Sequence, residues 1–178
     1  MQEVPVVEMH EKIVDGFRFM PPGLRAWLKK DIPETDYAGD IPWTPLKRPI
    51  SQTKFSLMTS AGINLKTDPP FDMEREKREP FWGDPTHREI PRGTSQDQID
   101  VNHLHVDTSF IKEDINVILP LSRFTELEKD GVIGSLAPTC YSFYGYQMDY
   151  SFLMGKTMPK VASRMREEGV EAVVLTPA

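Results

Sequence analysis

The sequence is poor in cysteine, holding only Cys140 among 178 residues. A lone thiol excludes an internal disulfide framework and any zinc site built on several cysteines. No stretch approaches the roughly 20 consecutive apolar residues that a membrane-spanning helix requires. Positive charge is in deficit, with 21 Lys and Arg against 27 Asp and Glu and a formal net charge of -6. That balance argues against general binding to nucleic acid or to an anionic membrane. The opening MQEVPVVEMHEK is too acidic and too weakly apolar for a secretory signal, so a cytoplasmic protein is expected. Neither a G-x-G-x-x-G loop nor a phosphate-loop lysine is present, which removes the dinucleotide and Walker-type readings.

Proline is abundant, with 16 residues concentrated before residue 92. Each removes a backbone donor and disfavours helix at the residue before it. The front half therefore reads as ordered loop wrapped on a core built by the back half. Apolar positions predict an amphipathic helix over 4–18, a second short helix at GLRAWLKKD and an extended segment from Ile32 to Ser51. TKFSLMTSAG predicts a strand over 54–59 that closes in the small residues Ser60, Ala61 and Gly62. The connection from Leu65 to Gln98 shows little periodicity, and its MEREKRE charge run reads as a solvated segment. DVNHLHVDTSF reads as a short alternating strand or a turn, and DINVILPL as a buried strand. SRFTELEKDG is a helix with Ser122 as N-cap, Phe124 and Leu127 facing inward and Asp130-Gly131 as terminator. A helix over 150–168 carries a kink or break at Pro159, and VEAVVLTPA supplies a last strand. Strands alternating with helices predict one α/β domain over 1–178, a mostly parallel sheet with flanking helices and an N-terminal arm over 1–42.

Several residues are candidates for chemistry. On a strand, His103, His105 and Asp107 share one face, an arrangement able to hold a divalent metal, although polar hydrogen bonding explains it as well. Either imidazole suits proton transfer near neutral pH. Cys140 lies among Tyr141, Phe143 and Tyr144, where a buried hydrophobic role competes with a reactive thiol. Tyr141, Tyr144 and Tyr146 either line a pocket or pack. The strand-end rule makes Thr59, Ser60 and Gly62 contacts for a ligand at the sheet edge.

Six segments give the chain a family likeness: WTPLKRP (43–49), FSLMTSAGI (55–63) with DPPFD (68–72), DINVILPLSRFTELEKDGVIGSLAP (114–138), YSFYGY (141–146) and GVEAVVLTPA (169–178). In this order they resemble the B-component family of the glycine, sarcosine, betaine and D-proline reductases, and most closely its short members with the D-proline-reductase-like pattern. The resemblance implies reductive cleavage of a carbon–nitrogen bond in an amino-acid-type substrate. It also implies other reductase subunits as partners and a dithiol electron donor; the charge balance and the lack of a third His or Cys beside His103 and His105 separately argue against nucleic acid, membrane and metal, and no separate cofactor is expected in this chain. In the family a selenocysteine or cysteine, then proline and a helix, follow a TPA-like strand end. The nucleophile would then follow Ala178, with selenocysteine expected in a complete protein and the present chain truncated at a UGA read as stop. A chalcogen at a helix N-terminus gains acidity from the free amides there. Thr176, Pro177 and Ala178 would flank it, with Thr59, Ser60, Gly62 and Thr176 on the substrate side. His103 and His105 would serve as proton donors, Cys140 as an auxiliary thiol, and Lys54, Arg48 or Arg123 as partner for the carboxylate. The alternatives are a non-catalytic binding or scaffold subunit, and a His/Asp metal-dependent hydrolase. A last strand without its following segment is also expected to leave an open edge prone to association.

Overall fold

The structure is a computed structural model that describes residues 16–31 and 44–178. The chain divides into two units, Met1–Trp43 and Thr44–Ala178. In the first, a 3-10 turn over Gly16–Phe19 precedes helix α1, Pro22–Asp31. The Arg25 guanidinium closes this corner on the Phe17 carbonyl at 2.6 and 2.9 Å. Helix α1 matches the expected GLRAWLKKD helix. The predicted helix over 4–18 and the extended segment over 32–51 lie largely outside the described residues.

In the second unit the elements run β1 (Lys54–Thr59), β2 (Ile63–Leu65), α2 (Met73–Arg78), β3 (His87–Pro91) and β4 (Ile99–Val101). They continue with α3 (Ser109–Glu113), α4 (Leu121–Lys129), β5 (Ser135–Leu136), β6 (Thr139–Phe143), α5 (Met158–Glu167) and β7 (Ala172–Thr176). Strand β1 is the centre of the main sheet. Its whole length from Phe55 pairs in parallel with β7 along one edge. On the other edge β5 takes Lys54 and Phe55, while β6 takes Met58 and Thr59, both in parallel. Strand β3 adds antiparallel to β6, and β2 with β4 forms a separate antiparallel pair. The α/β class and the mostly parallel sheet are as the sequence indicates.

Side chains alternate across β1, so Leu57 and Met58 face opposite layers. Leu57 packs with Ile63, Ile90, Ile111, Leu119 and Cys140, under α3 and the start of α4. Met58 and Tyr141 pack on the other face against Val161 and Met165 of α5. Burial on both faces gives β1 the continuous apolar character of a central parallel strand.

Several local expectations change. DINVILPL is not a strand: Ile115–Val117 forms a 3-10 turn, and the Asp114 carboxylate accepts from the Asn116 amide at 2.9 Å. Such an Asx turn competes with extended backbone. The buried Ile115 and Leu119 lie four residues apart, a helical rather than an alternating spacing. Helix α4 starts at Leu121 behind Pro120, and Ser122 caps nothing, its amide and hydroxyl both donating to Asn116 Oδ1. The glycine stop is as expected, with Gly131 at φ 70°. The apparent loop over 65–98 holds α2, β3 and a 3-10 turn at Gln96–Gln98. The helix with Pro159 survives through a π-helical turn, Leu153–Thr157, running into α5, in which the Met158 amide reaches back five residues to Leu153. A regular turn would press the Pro159 ring on the Gly155 carbonyl, and the wider turn relieves that clash.

Candidate active site at the carboxyl edge of the sheet

Strands β1, β6 and β7 are parallel, so their carboxyl ends meet at one edge, the usual place for chemistry in such sheets. Thr59 is fully buried, and its hydroxyl donates to the Thr176 carbonyl at 3.0 Å. The Thr176 hydroxyl donates to the carbonyls of Ile118, at 2.5 Å, and Met58, at 3.3 Å. Just beyond, the Ala178 amide donates to Ser60 Oγ at 2.9 Å. Ser60, Thr176 and Pro177 line an apolar cleft of about 260 Å³ with Met58, Phe143 and Leu175. Thus Thr59 and Thr176 fix backbone, and Ser60 is the polar group turned to the cleft.

Gly62 has a structural duty. At φ 65° a side chain there would meet the Asn102 carbonyl at 2.6 Å and the Tyr144 ring at 2.9 Å. Only glycine fits this left-handed, close-packed turn. The contact brings the loop after β4 against the loop after β6, and with it the histidines.

His103 and His105 lie in a turn rather than on a strand. His103 stacks on Tyr144 with ring centroids 4.4 Å apart, and His105 lies 4.1 Å over Tyr146. Between them is Glu76 of α2, only 4% exposed. One carboxylate oxygen takes His105 Nε2 at 2.5 Å, and the other accepts from the Tyr144 hydroxyl at 2.5 Å. Tyr144 is itself buried, and its hydroxyl accepts from the Leu104 amide at 3.2 Å. Burial and the bond to Glu76 push the Tyr144 phenol well above its ordinary range. His103 Nδ1 accepts from the His105 amide at 3.1 Å, and its buried Nε2 finds no partner among the described residues. Burial, aided by the charge of His105 and opposed by that of Glu76, lowers the His103 pKa. The MEREKRE run is therefore not wholly solvated: one of its carboxylates organises this cluster. No local signal marks Glu76, since its partners lie 29 and 68 residues away.

The remaining candidates fall elsewhere. Asp107 accepts from the Ser109 amide at 3.0 Å and takes no part in the histidine cluster. Among the described residues no three His, Cys, Asp or Glu side chains gather closely enough to hold a metal. Cys140 is fully buried on β6, and burial pushes its thiol up to about 11, so the structure places it in the core and not as an accessible thiol. Tyr141 is buried against α5, and Tyr146 anchors its hydroxyl on the Pro80 carbonyl at 2.7 Å. Lys54 opens β1 and donates to the Glu168 carbonyl, while Arg48 pairs with Glu171 at 2.9 Å. Both stand at the opposite end of β1, about 20 Å from its carboxyl end at the usual strand rise. Neither reaches a carboxylate at the Ser60 edge. Arg123 lies in the first turn of α4, beyond the Ile118 carbonyl that holds Thr176, and pairs with Glu126 at 2.9 Å. No helix among the described residues is long and apolar enough to cross a membrane.

The family model described as Glycine/sarcosine/betaine reductase selenoprotein B matches residues 31–178. The chain belongs to this selenoprotein B family. Among curated relatives, the D-proline reductase subunit gamma of Acetoanaerobium sticklandii is 33% identical over 134 residues, or 75% of this chain and 52% of that protein. The sarcosine reductase complex component B subunit beta of Peptoclostridium acidaminophilum is 29% identical over 138 residues, covering 76% of this chain and 30% of that protein. The chain thus spans about half the length of the first relative and less than a third of the second. No solved structure matches it. Within the selenoprotein B family match lie both parts of the site, the β1–β7 edge and the Glu76 cluster.

Proposed function

We propose that this chain contributes to a reductase subunit that cleaves a carbon–nitrogen bond of an amino-acid-type substrate. In this reading a selenolate or thiolate follows Ala178 in a longer chain, and other subunits with a dithiol donor restore it after each turnover. The observation that carries the proposal is the convergence of two strand ends, with Ala178 held on Ser60 and Thr176 held on β1. A nucleophile attached there would be delivered beside the apolar cleft with its backbone already fixed, which removes much of the entropy of alignment. Ser60 supplies a hydroxyl to the substrate, Thr59 and Thr176 hold the strand ends, and Gly62 holds the histidine loop against them. Of Lys54, Arg48 and Arg123, only Arg123 does not stand at the amino end of β1, which leaves it as the candidate partner for the substrate carboxylate. His103 and His105 are the groups available for protonating the departing nitrogen, a general-acid role. Reductase partners are proposed on the printed names of the relatives, a D-proline reductase subunit and a sarcosine reductase complex subunit.

The test is dithiol-driven cleavage of D-proline, sarcosine, glycine and betaine by the assembled complex, before and after treatment with a chalcogen alkylating agent. Turnover of at least one substrate that alkylation abolishes is the expected result. A complex that assembles yet leaves all four intact selects a scaffold role instead.

A further inference from the structure

We infer that His105 is the proton donor of this site, that buried Glu76 is its positioning residue, and that His103 is a neutral packing partner. The inference rests on the reductive reading above and divides two histidines that are equivalent in the sequence. An ionised carboxylate only accepts hydrogen bonds, so the His105 nitrogen facing Glu76 carries a proton. Glu76 is 4% exposed, and among the described residues His105 is its only partner able to bear positive charge. A buried carboxylate without such a partner is strongly disfavoured, so the pair is read as carboxylate and imidazolium. Tyr144 holds the second oxygen of Glu76 and stops the carboxylate from turning. The His105 side chain is 47% exposed, so water reaches the ring.

His103 differs in each respect. Its Nδ1 is occupied by the His105 amide, its ring is stacked on Tyr144 and its Nε2 is buried. Burial disfavours its charged form. The groups facing His105 are Glu76 from α2, His103 from its own turn and Tyr146 from the segment after β6. That segment touches the strand-end edge directly, because the Gly145 amide donates to the Ser60 carbonyl at 2.9 Å. A Cβ on Gly145 would already sit 3.0 Å from Ser60. Ser60 and Tyr146 therefore stand on the two sides of one glycine, and the His105 ring packs on Tyr146.

The step balances. With the substrate nitrogen as the neutral amine, a selenolate or thiolate forms its bond to the α-carbon while the carbon–nitrogen bonding pair moves to nitrogen. Nitrogen takes the proton from Nδ1 of imidazolium His105. The products are a chalcogen–carbon adduct, a neutral amine and a neutral imidazole, with Glu76 still ionised.

The experiment uses the assembled complex with the full chain and compares Glu76→Gln, His105→Gln and His103→Gln on D-proline and sarcosine. His105→Gln is expected to lower kcat by about 10²–10⁴-fold, the usual worth of general acid catalysis. Glu76→Gln should reproduce part of that fall with KM unchanged, which loss of fold alone would not do. A larger loss for His103→Gln than for His105→Gln overturns the assignment. Nitrogen-resolved NMR of the imidazoles supplies an arm independent of turnover. A downfield proton on His105 Nε2, lost in Glu76→Gln, supports the pairing, and a bare Nε2 overturns it. Failure of the unsubstituted complex to cleave any substrate counts against the reductive reading, and the NMR result still decides the pairing.

Discussion

Tyr141 and Tyr144 are buried to the same degree, at 0% and 1% exposure, yet removal of their hydroxyls should have opposite effects. The Tyr144 hydroxyl donates to a buried carboxylate and accepts from the Leu104 amide. Tyr144→Phe takes away one hydrogen bond to a charged group, worth about 1.5–3 kcal/mol, and one ordinary bond, worth about 0.5–1.5 kcal/mol. Both partners are left in poor surroundings, so the expected loss is about 2–4 kcal/mol. For a chain of this size that corresponds to a fall in Tm of roughly 5–15 °C. The Tyr141 hydroxyl is buried without a partner among the described residues. Tyr141→Phe removes an unsatisfied group and should leave stability unchanged or raise it by about 1–2 kcal/mol. Thermal unfolding followed by circular dichroism, confirmed by urea titration, measures the pair side by side. Equal losses, or a Tyr144→Phe protein within roughly 2 °C of the parent, would refute the account of Glu76 as a buried, tyrosine-held carboxylate.

Two further outcomes follow from the same packing. Cys140, fully buried with its thiol pushed up to about 11, should resist alkylation at neutral pH in the native protein and react fully in denaturant; rapid stoichiometric labelling of native protein would show that β6 opens readily. His87 and His103 both titrate below the ordinary value of 6.5, chiefly through burial, with Lys160 adding for His87 and His105 for His103. The unfolded chain then binds more protons, so their stabilising contribution is complete above 6.5 and is lost as pH falls below it. Urea midpoints across the histidine range should show this slope flattened in a His87→Gln, His103→Gln double variant, and an unchanged slope would assign the effect elsewhere.

Where residues act through their neighbours in sequence, the chain was legible. Strand β1 follows from its apolar run and small-residue ending, α4 from its amphipathic pattern and Gly131, and β7 from its β-branched run, though it starts at Ala172 and ends at Thr176. The polar residues of strand β6 are buried for reasons lying far away in sequence. Thr139 gives its carbonyl to Ser56, and Ser142 gives its hydroxyl oxygen to the Ile63 amide. Neither link is local, and TCYSF reads as loop without them. Glu76 is the same case at the site. Its charge suits the solvated run around it, and only the return of residues 105 and 144 makes it a buried acceptor. The convergence of the β1 and β7 ends was legible because parallel topology brings carboxyl ends together whatever the side chains are.

A parallel ladder is periodic, so hydrogen bonding and face alternation fix the offset of one strand on another only modulo two residues. Sliding β7 along β1 by one residue would exchange its faces, but a slide of two would keep them and cost little in the ladder itself. The paired threonines lift that degeneracy. Their two hydroxyl protons reach backbone carbonyls that meet them at a single offset, the Thr176 proton shared between Ile118 and Met58. At about 1 kcal/mol for each donor they favour this offset on the order of 30-fold over its nearest equivalent. Two methyl-bearing hydroxyls thus serve as the key that sets the tip of the final strand to one position.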